Sequence, residues 1–191
     1  MKTLKDYIKS KAEFTVAGTK SNKLLVFDVD DTLIHTSANI LVNKNGKHIK
    51  TIPNKEFNNY KLNPGEEFDF SEFDDPNILS NEVFTPYWNT LKREYNKGTH
   101  ISIITARSDA EMIRNFFLKN GIDIKQSLIF AITDPKLHLN GTIQEKKSQI
   151  IKMLSKLGYE TFVFFDDDEG NLKTAKELEK TCDIKIHTIK V

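Results

Sequence analysis

The chain has 191 residues, a formal net charge of +1, 38% hydrophobic residues and 29% charged residues. This length is enough for one domain with a full hydrophobic core, and the composition is ordinary for a soluble globular protein. No apolar run approaches the length of a membrane span, the polar start lacks the hydrophobic region of a secretory signal, and a lone Cys182 excludes an internal disulfide framework. The sequence therefore predicts a cytoplasmic protein that does not associate with membranes.

The first predicted elements are a helix, a strand and a hairpin. Thr3 and Asp6 have the spacing of an N-terminal capping box, so a helix and linker are expected over residues 1–22. The run Lys23–Phe27 is continuously apolar after its first residue, which is typical of a parallel strand buried on both faces. Asn45-Gly46 between apolar arms then predicts a hairpin, because both positions of such a turn require positive φ.

The segment 37–85 breaks the alternation of strands and helices. After the hairpin it contains several prolines and aromatic residues, and we interpret it as an irregular excursion held by aromatic anchors, not as a second domain. Residues 62–91 contain no Lys or Arg but seven acidic residues. This stretch is either a solvated acidic loop or a mobile segment that contacts basic surface or screens the entrance to a site.

Residues 86–191 return to regular alternation. Apolar runs predict strands, capping residues and apolar periodicity predict helices, and glycines mark the helix ends. The predicted strands are Ile101–Ile104, Leu128–Ile132, Thr161–Phe165 and Ile184–Val191, and the predicted helices are 86–95, 108–121, 145–157 and 171–180. The chain is thus expected to form a single α/β domain over residues 1–191 with a doubly wound parallel sheet, and residues 23–36 supply its first strand and turn.

Three predicted strands end in polar, reactive residues. The first is followed by Asp28 and Asp30, the second by Thr105, and the fourth by Asp166 and Asp167. Because the carboxyl ends of parallel strands lie at one edge of the sheet, these side chains are expected to converge. Several carboxylates at one point repel each other unless a cation compensates them, and an all-oxygen set favours Mg²⁺ over zinc.

These residues resemble the motifs of the haloacid dehalogenase superfamily. Asp28-Val29-Asp30-Asp31-Thr32 matches the family's DxDxT motif, Thr105 its strand-terminal Thr or Ser, and Lys147 its helical lysine. Asp166-Asp167 with Asn171 matches a DDxxxN form of the fourth motif. The resemblance covers about residues 23–180 and implies a Rossmann-like core with a short flap hairpin and no large cap domain. The finer pattern resembles phage-type members, whose nearest functional analogue is the phosphatase half of polynucleotide kinase-phosphatases.

The resemblance implies a Mg²⁺-dependent phosphatase with an aspartyl-phosphate intermediate. Asp28 is expected to attack phosphorus, and Asp30 to protonate the leaving alcohol and then activate water. The roles expected of the other residues are phosphoryl binding by Thr105, charge neutralisation by Lys147, direct metal ligation by Asp28, Asp166 and the Asp30 carbonyl, and outer metal contact by Asp167. The expected substrate is a nucleic-acid 3′-phosphate or a nucleotide, in the host cytoplasm if the chain is of phage origin, and no obligate protein partner is inferred.

Several alternatives remain open at the level of sequence. Lys146 and Lys152 compete with Lys147 for the position in the site, and the triple Asp166-Asp167-Asp168 allows more than one register. Thr105 could be only a helix cap, and Arg107 could bind substrate phosphate, lie at the surface or begin a helix. The competing functions are a catalytically idle binding protein of the same fold and a phosphatase of small non-nucleotide metabolites.

Overall fold

The computed structural model describes residues 22–191, so the predicted N-terminal helix lies outside the described residues. The described chain divides into two compact units. The core unit contains the residues up to Ile34 together with Phe84–Val191, and the inserted unit is His35–Val83. Every predicted strand is present, as is every helix predicted within the described residues, and their ends differ from the prediction by at most four residues.

Ten strands are assigned within residues 22–191. They are β1 (Lys23–Phe27), β2 (Ile34–His35), β3 (Asn39–Lys44), β4 (Lys47–Pro53), β5 (Glu66–Asp69), β6 (Val83–Phe84), β7 (Ile101–Thr105), β8 (Ile129–Ala131), β9 (Thr161–Asp166) and β10 (Lys185–Lys190). The five α-helices of the same residues are α1 (Pro76–Ser80), α2 (Pro86–Asn96), α3 (Ala110–Lys119), α4 (Ile143–Ser155) and α5 (Glu169–Lys176). None of the described helices is long and apolar enough to cross a membrane.

The core unit is built on a five-stranded parallel sheet with the order β10-β9-β1-β7-β8. The predicted α/β class and parallel sheet are therefore confirmed, and the helices that connect the strands flank the sheet. The strand order reverses between β1 and its neighbour β9, because the chain moves outward from β1 to β8 before it returns to β9. In open α/β sheets a ligand site is expected at the carboxyl ends of the strands beside this reversal.

The continuous apolar runs of the strands fill the core of this unit. Leu24, Val26 and Phe27 have no exposed surface, and the Phe27 ring stacks on Phe165 of β9 with their centroids 4.3 Å apart. Trp88 of α2 is also buried and lies against the ring of Phe117. Burial of both faces explains why these strands lack the alternation of polar and apolar residues seen in half-exposed strands.

The helix termini of the core unit differ from the prediction in one respect. The spacing of Ser108 and Glu111 predicts a capping box at the start of α3, but Asp109, not Ser108, caps this helix, and its side chain accepts hydrogen bonds from the backbone nitrogens of Glu111 and Met112. A full capping box forms instead at the start of α4, between Thr142 and Glu145. Both candidates have a hydroxyl three residues before an acid, so sequence spacing alone does not distinguish them.

The inserted unit is more regular than the sequence predicted. The expected hairpin is present as β3 and β4, with Asn45 and Gly46 at its tip at φ values of 52° and 71°. The strand β5 pairs with β3 to complete a three-stranded antiparallel sheet, and a short helix, α1, follows. Its small core contains Ile40, Val42 and Ile52, against which four partly buried aromatic residues pack: Phe57, Tyr60, Phe68 and Phe73.

Candidate active site

The candidate site lies at the carboxyl ends of β1 and β9, beside the reversal of strand order. Asp28 directly follows β1, and its backbone nitrogen donates to the carbonyl of Phe165 over 3.0 Å. Asp166 is the last residue of β9 and has no exposed surface, while Asp28 is 5% exposed. Neighbouring strands thus bring two carboxylates, far apart in sequence, to one buried position.

Lys147 joins the two carboxylates. Its Nζ lies 2.9 Å from Asp28 Oδ1 and 2.7 Å from Asp166 Oδ2. The apolar face of α4 sets this orientation, because Ile150, Ile151 and Lys147 are all buried along it. Of the three lysines considered from the sequence, Lys147 is therefore the one at the site, whereas Lys146 is partly exposed and Lys152 is exposed.

The three consecutive aspartates at the end of β9, Asp166 to Asp168, have separate roles. Asp166 Oδ1 accepts hydrogen bonds from Asn171 Nδ2 (2.8 Å) and from the backbone nitrogen of Asp168 (3.0 Å). Asp168 caps α5, where its Oδ1 accepts from the backbone nitrogen of Asn171 over 2.8 Å. Asp167 remains partly exposed. The register with Asp166 in the site is the one that also brings Asn171 to it.

A group of three carboxylates has the spacing of a cation site. Oxygen atoms of Asp28, Asp166 and Asp167 all lie within 4.8 Å of one another. The oxygen ligands of one Mg²⁺ ion lie about 2.9–4.2 Å from one another, so the three side chains would draw closer together around a shared ion. These residues could therefore hold a metal, and their oxygen atoms suit a hard cation such as Mg²⁺ or Ca²⁺.

The electrostatics of the group favour a bound cation. The pKa of Asp28 lies well above its usual range, and the largest cause is burial. The charge of Lys147 lowers this pKa, whereas the nearby carboxylates, above all Asp166, raise it further. Burial and the charge of Asp166 also raise the pKa of Asp167 to about 6. Burial alone would lower the pKa of Lys147, but Asp28 and Asp166 outweigh it and raise that pKa. One lysine therefore does not neutralise the three carboxylates, and a divalent ion would relieve their repulsion.

Asp30 points to a different partner. Arg107 donates to both of its oxygens, from Nε to Oδ2 over 3.0 Å and from Nη2 to Oδ1 over 2.6 Å. The Arg107 side chain is completely buried and that of Asp30 is 13% exposed. The carboxylate of Asp30 is thus held by a two-point ion pair and does not belong to the three-carboxylate group of Asp28.

The turn after β1 positions Asp28 and Asp30. The backbone nitrogen of Leu33 donates to the Val29 carbonyl over 2.8 Å, and Asp31 adopts a left-handed conformation with φ of 54°. Thr85, at the start of α2, donates from its hydroxyl to the carbonyl of Thr32 over 2.5 Å. Sequence reasoning missed Thr85, although its position before Pro86 at a helix start marked it as a cap.

Thr105 ends β7, the neighbour of β1 on the other side from β9, and it is completely buried. Its hydroxyl oxygen accepts from the backbone nitrogen of Arg107 over 3.3 Å. The predicted residues are thus all at the carboxyl edge of the sheet or on the helix beside it. The pairing of Asp30 with Arg107 was not predicted, because its two members are 77 residues apart and no local pattern links them.

The sequence matches no protein-family model and no curated protein.

Proposed function

We propose that this protein is a Mg²⁺-dependent phosphomonoester hydrolase of the haloacid dehalogenase type, which acts through an aspartyl-phosphate on Asp28. The observation that carries the proposal is the buried group in which Lys147 Nζ lies within 2.9 Å of Asp28 and 2.7 Å of Asp166, with Asp167 beside them. A carboxylate that is held next to a lysine and a cation site is suited to attack an anionic phosphoryl group.

The proposed reaction has two steps. In the first, an oxygen of Asp28 bonds to phosphorus, the bond from phosphorus to the ester oxygen breaks, and Asp30 gives its proton to the leaving alcohol. In the second, Asp30 takes a proton from water, the water oxygen bonds to phosphorus as the bond from phosphorus to the Asp28 oxygen breaks, and inorganic phosphate leaves with the Asp28 carboxylate restored. Lys147 holds Asp28 and neutralises phosphoryl charge, and the Thr105 hydroxyl binds a phosphoryl oxygen.

Mg²⁺, when bound, would offset the repulsion between the nucleophile and the phosphoryl group. Asp28, Asp167 and the Asp30 carbonyl would hold it. Asp166 already accepts from Lys147, Asn171 and the backbone of Asp168, whereas Asp167 is partly exposed. This geometry favours Asp167 as a direct ligand and Asp166 as the residue that orients Lys147, which exchanges the roles expected from the sequence.

We further propose that the β3–β4 hairpin is the flap of this enzyme and that its substrate is a nucleic-acid 3′-phosphate or a nucleotide. The support is the position of the hairpin in the chain, between β1 and β7, and the likeness of the motifs to the phosphatase half of polynucleotide kinase-phosphatases. A phosphatase of small metabolites would use the same site, so the two kinds of substrate are distinguished by comparing their rates of hydrolysis.

The test is hydrolysis of p-nitrophenyl phosphate with Mg²⁺, with Ca²⁺ and with EDTA, followed by a series of nucleotides and of 3′- and 5′-phosphorylated oligonucleotides. We expect turnover with Mg²⁺ alone, since the looser coordination of Ca²⁺ suits in-line transfer poorly. Faster turnover of 3′-phosphorylated oligonucleotides would support the substrate. Full activity in EDTA would overturn the metal requirement, and no turnover of any ester would favour an idle binding protein.

A further inference from the structure

We propose that Arg107 is a positioning residue that acts through Asp30 and does not bind the substrate phosphate. The inference rests on the proposed function, because it concerns the residue that exchanges protons with the leaving group and with water. It replaces the possibility, left open by the sequence, that Arg107 binds phosphate directly.

The geometry of the pair supports this role. The two nitrogens of Arg107 reach separate oxygens of Asp30, at 3.0 and 2.6 Å, so the plane of the carboxylate is fixed as well as its distance. A planar guanidinium gives this two-point contact, whereas the ammonium of a lysine acts as a point charge on a flexible stem. The orientation of Asp30 is thus determined by the residue type at position 107.

Burial separates Arg107 from an incoming substrate. Its side chain has no exposed surface, and that of Asp30 is 13% exposed. A phosphate ester that enters from solvent therefore meets Asp30, while the guanidinium lies behind it. A direct contact between Arg107 and the phosphate would require the guanidinium, which has no exposed surface, to be uncovered. Any movement that broke its ion pair with Asp30 would leave both charges without their partner at considerable cost.

The loop that carries Arg107 is anchored on both sides. Arg107 lies in the short loop between β7 and α3, and its backbone nitrogen donates to the Thr105 hydroxyl over 3.3 Å. Asp109 then caps α3 two residues later. Both anchors of this loop belong to regular elements of the core unit, so the orientation of Asp30 is set by the sheet edge and not by a freely moving side chain.

The test is a kinetic cycle of the wild type, Arg107→Lys, Asp30→Asn and the double variant. Each would be assayed with p-nitrophenyl phosphate, whose leaving group needs little protonation, and with a simple alkyl phosphate, whose leaving group needs much. We expect Arg107→Lys to lower kcat for the alkyl ester by about 10²-fold, the cost of a small misplacement of a reacting group. The loss with p-nitrophenyl phosphate should be smaller, KM should stay within about twofold for both esters, and Arg107→Lys should cause no further loss in the Asp30→Asn background.

The opposite pattern would overturn the inference. If Arg107 binds phosphate, Arg107→Lys will raise KM for both esters and its effect will persist in the Asp30→Asn background. Arg114→Lys is the matched control, because Arg114 is partly exposed and pairs at the surface with Asp123, which is exposed. A wild-type protein inactive on both esters would overturn the proposed function itself, whereas an active wild type with additive losses would overturn only the role of Arg107.

Discussion

Asp28 and Asp30 are two residues apart and differ in the partners that hold them. Asp28 lies against Lys147 and the other carboxylates of the candidate cation site, while Asp30 is paired with Arg107. A uniform effect of charge would make their loss equivalent. The different partners instead predict different chemical roles.

Replacement of each aspartate by asparagine separates those roles. Asp28→Asn removes the nucleophile, so no phosphoenzyme should form with any substrate. Asp30→Asn keeps the nucleophile but loses a proton donor, which costs about 10²–10⁴-fold and less for esters with good leaving groups. Acid quenching after a brief reaction, followed by mass mapping of the adduct, shows whether a phosphoenzyme forms and which aspartate carries the phosphate. Rates measured with good and poor leaving groups give the loss of activity in each variant. Phosphate on Asp30, or equal losses for both variants across good and poor leaving groups, would mean that the roles are assigned wrongly.

Lys147 also has a structural effect that can be measured without substrate. Lys147→Met removes the cation between Asp28 and Asp166, and the loss of one member of a buried ion pair costs roughly 3–5 kcal/mol. We expect urea unfolding in EDTA to show that loss, and added Mg²⁺ to recover part of it. Lys146→Met is the control, with an expected change within about 0.5 kcal/mol, because Lys146 is partly exposed on the same helix. Equal changes in the free energy of unfolding for Lys147→Met and Lys146→Met would contradict the assignment of Lys147 as the lysine of the site.

Sequence reasoning reached the site residues because most of them stand at strand ends, where a buried run stops at a polar residue. The choice of Lys147 over its neighbours also agrees with the structure, although in the sequence it depended on the family resemblance. The exchange of roles that we propose between Asp166 and Asp167 was not predictable, since it depends on hydrogen bonds from Asn171 and Lys147 that form only in the folded chain.

The hairpin of β3 and β4 is the element whose geometry follows most directly from two residues. Gly46 lies at φ of 71°, and a Cβ added there would meet nothing within 4 Å. Any loss of stability in Gly46→Ala therefore comes from the left-handed backbone and not from a clash. We expect the hairpin to lose about 1 kcal/mol of stability. Faster hydrogen exchange of the β3 and β4 amides would show it. Lys47→Ala, at the exposed start of β4, should leave exchange nearly unchanged, and equal changes in both variants would contradict this origin.

The strands that the sequence did not predict are those without local periodicity. The strand β5 pairs with β3 although about twenty residues separate them, and β2 and β6 have only two residues each. Such short strands exist because a partner is present, so composition and alternation give no sign of them. Strands such as β1 and β9 are continuous apolar runs, which can be recognised in the sequence without knowledge of the partner strand. They were therefore predicted with nearly correct ends.

Over the whole molecule, the net charge of +1 conceals a local excess of negative charge. Asp28, Asp166 and Asp167 converge from two strands that are joined through more than a hundred residues, with one lysine among them. Folding therefore brings together charges that are separated in the unfolded chain. A cation that binds only the converged carboxylates should stabilise the folded state as a whole.

The stabilisation of the folded state by a bound cation can be measured directly. With Mg²⁺ at about one hundred times its dissociation constant, the free energy of unfolding should rise by about 2.7 kcal/mol. For a chain of this size that corresponds to a Tm higher by about 5–10 °C, reversed by EDTA. Asp167→Asn should remove most of the shift because it removes the most exposed carboxylate of the three, whereas Asp183→Asn, at an exposed site outside the group, should retain it. A shift of equal size in Asp167→Asn would place the cation elsewhere, and no shift in the wild type would contradict a cation site at this edge of the sheet.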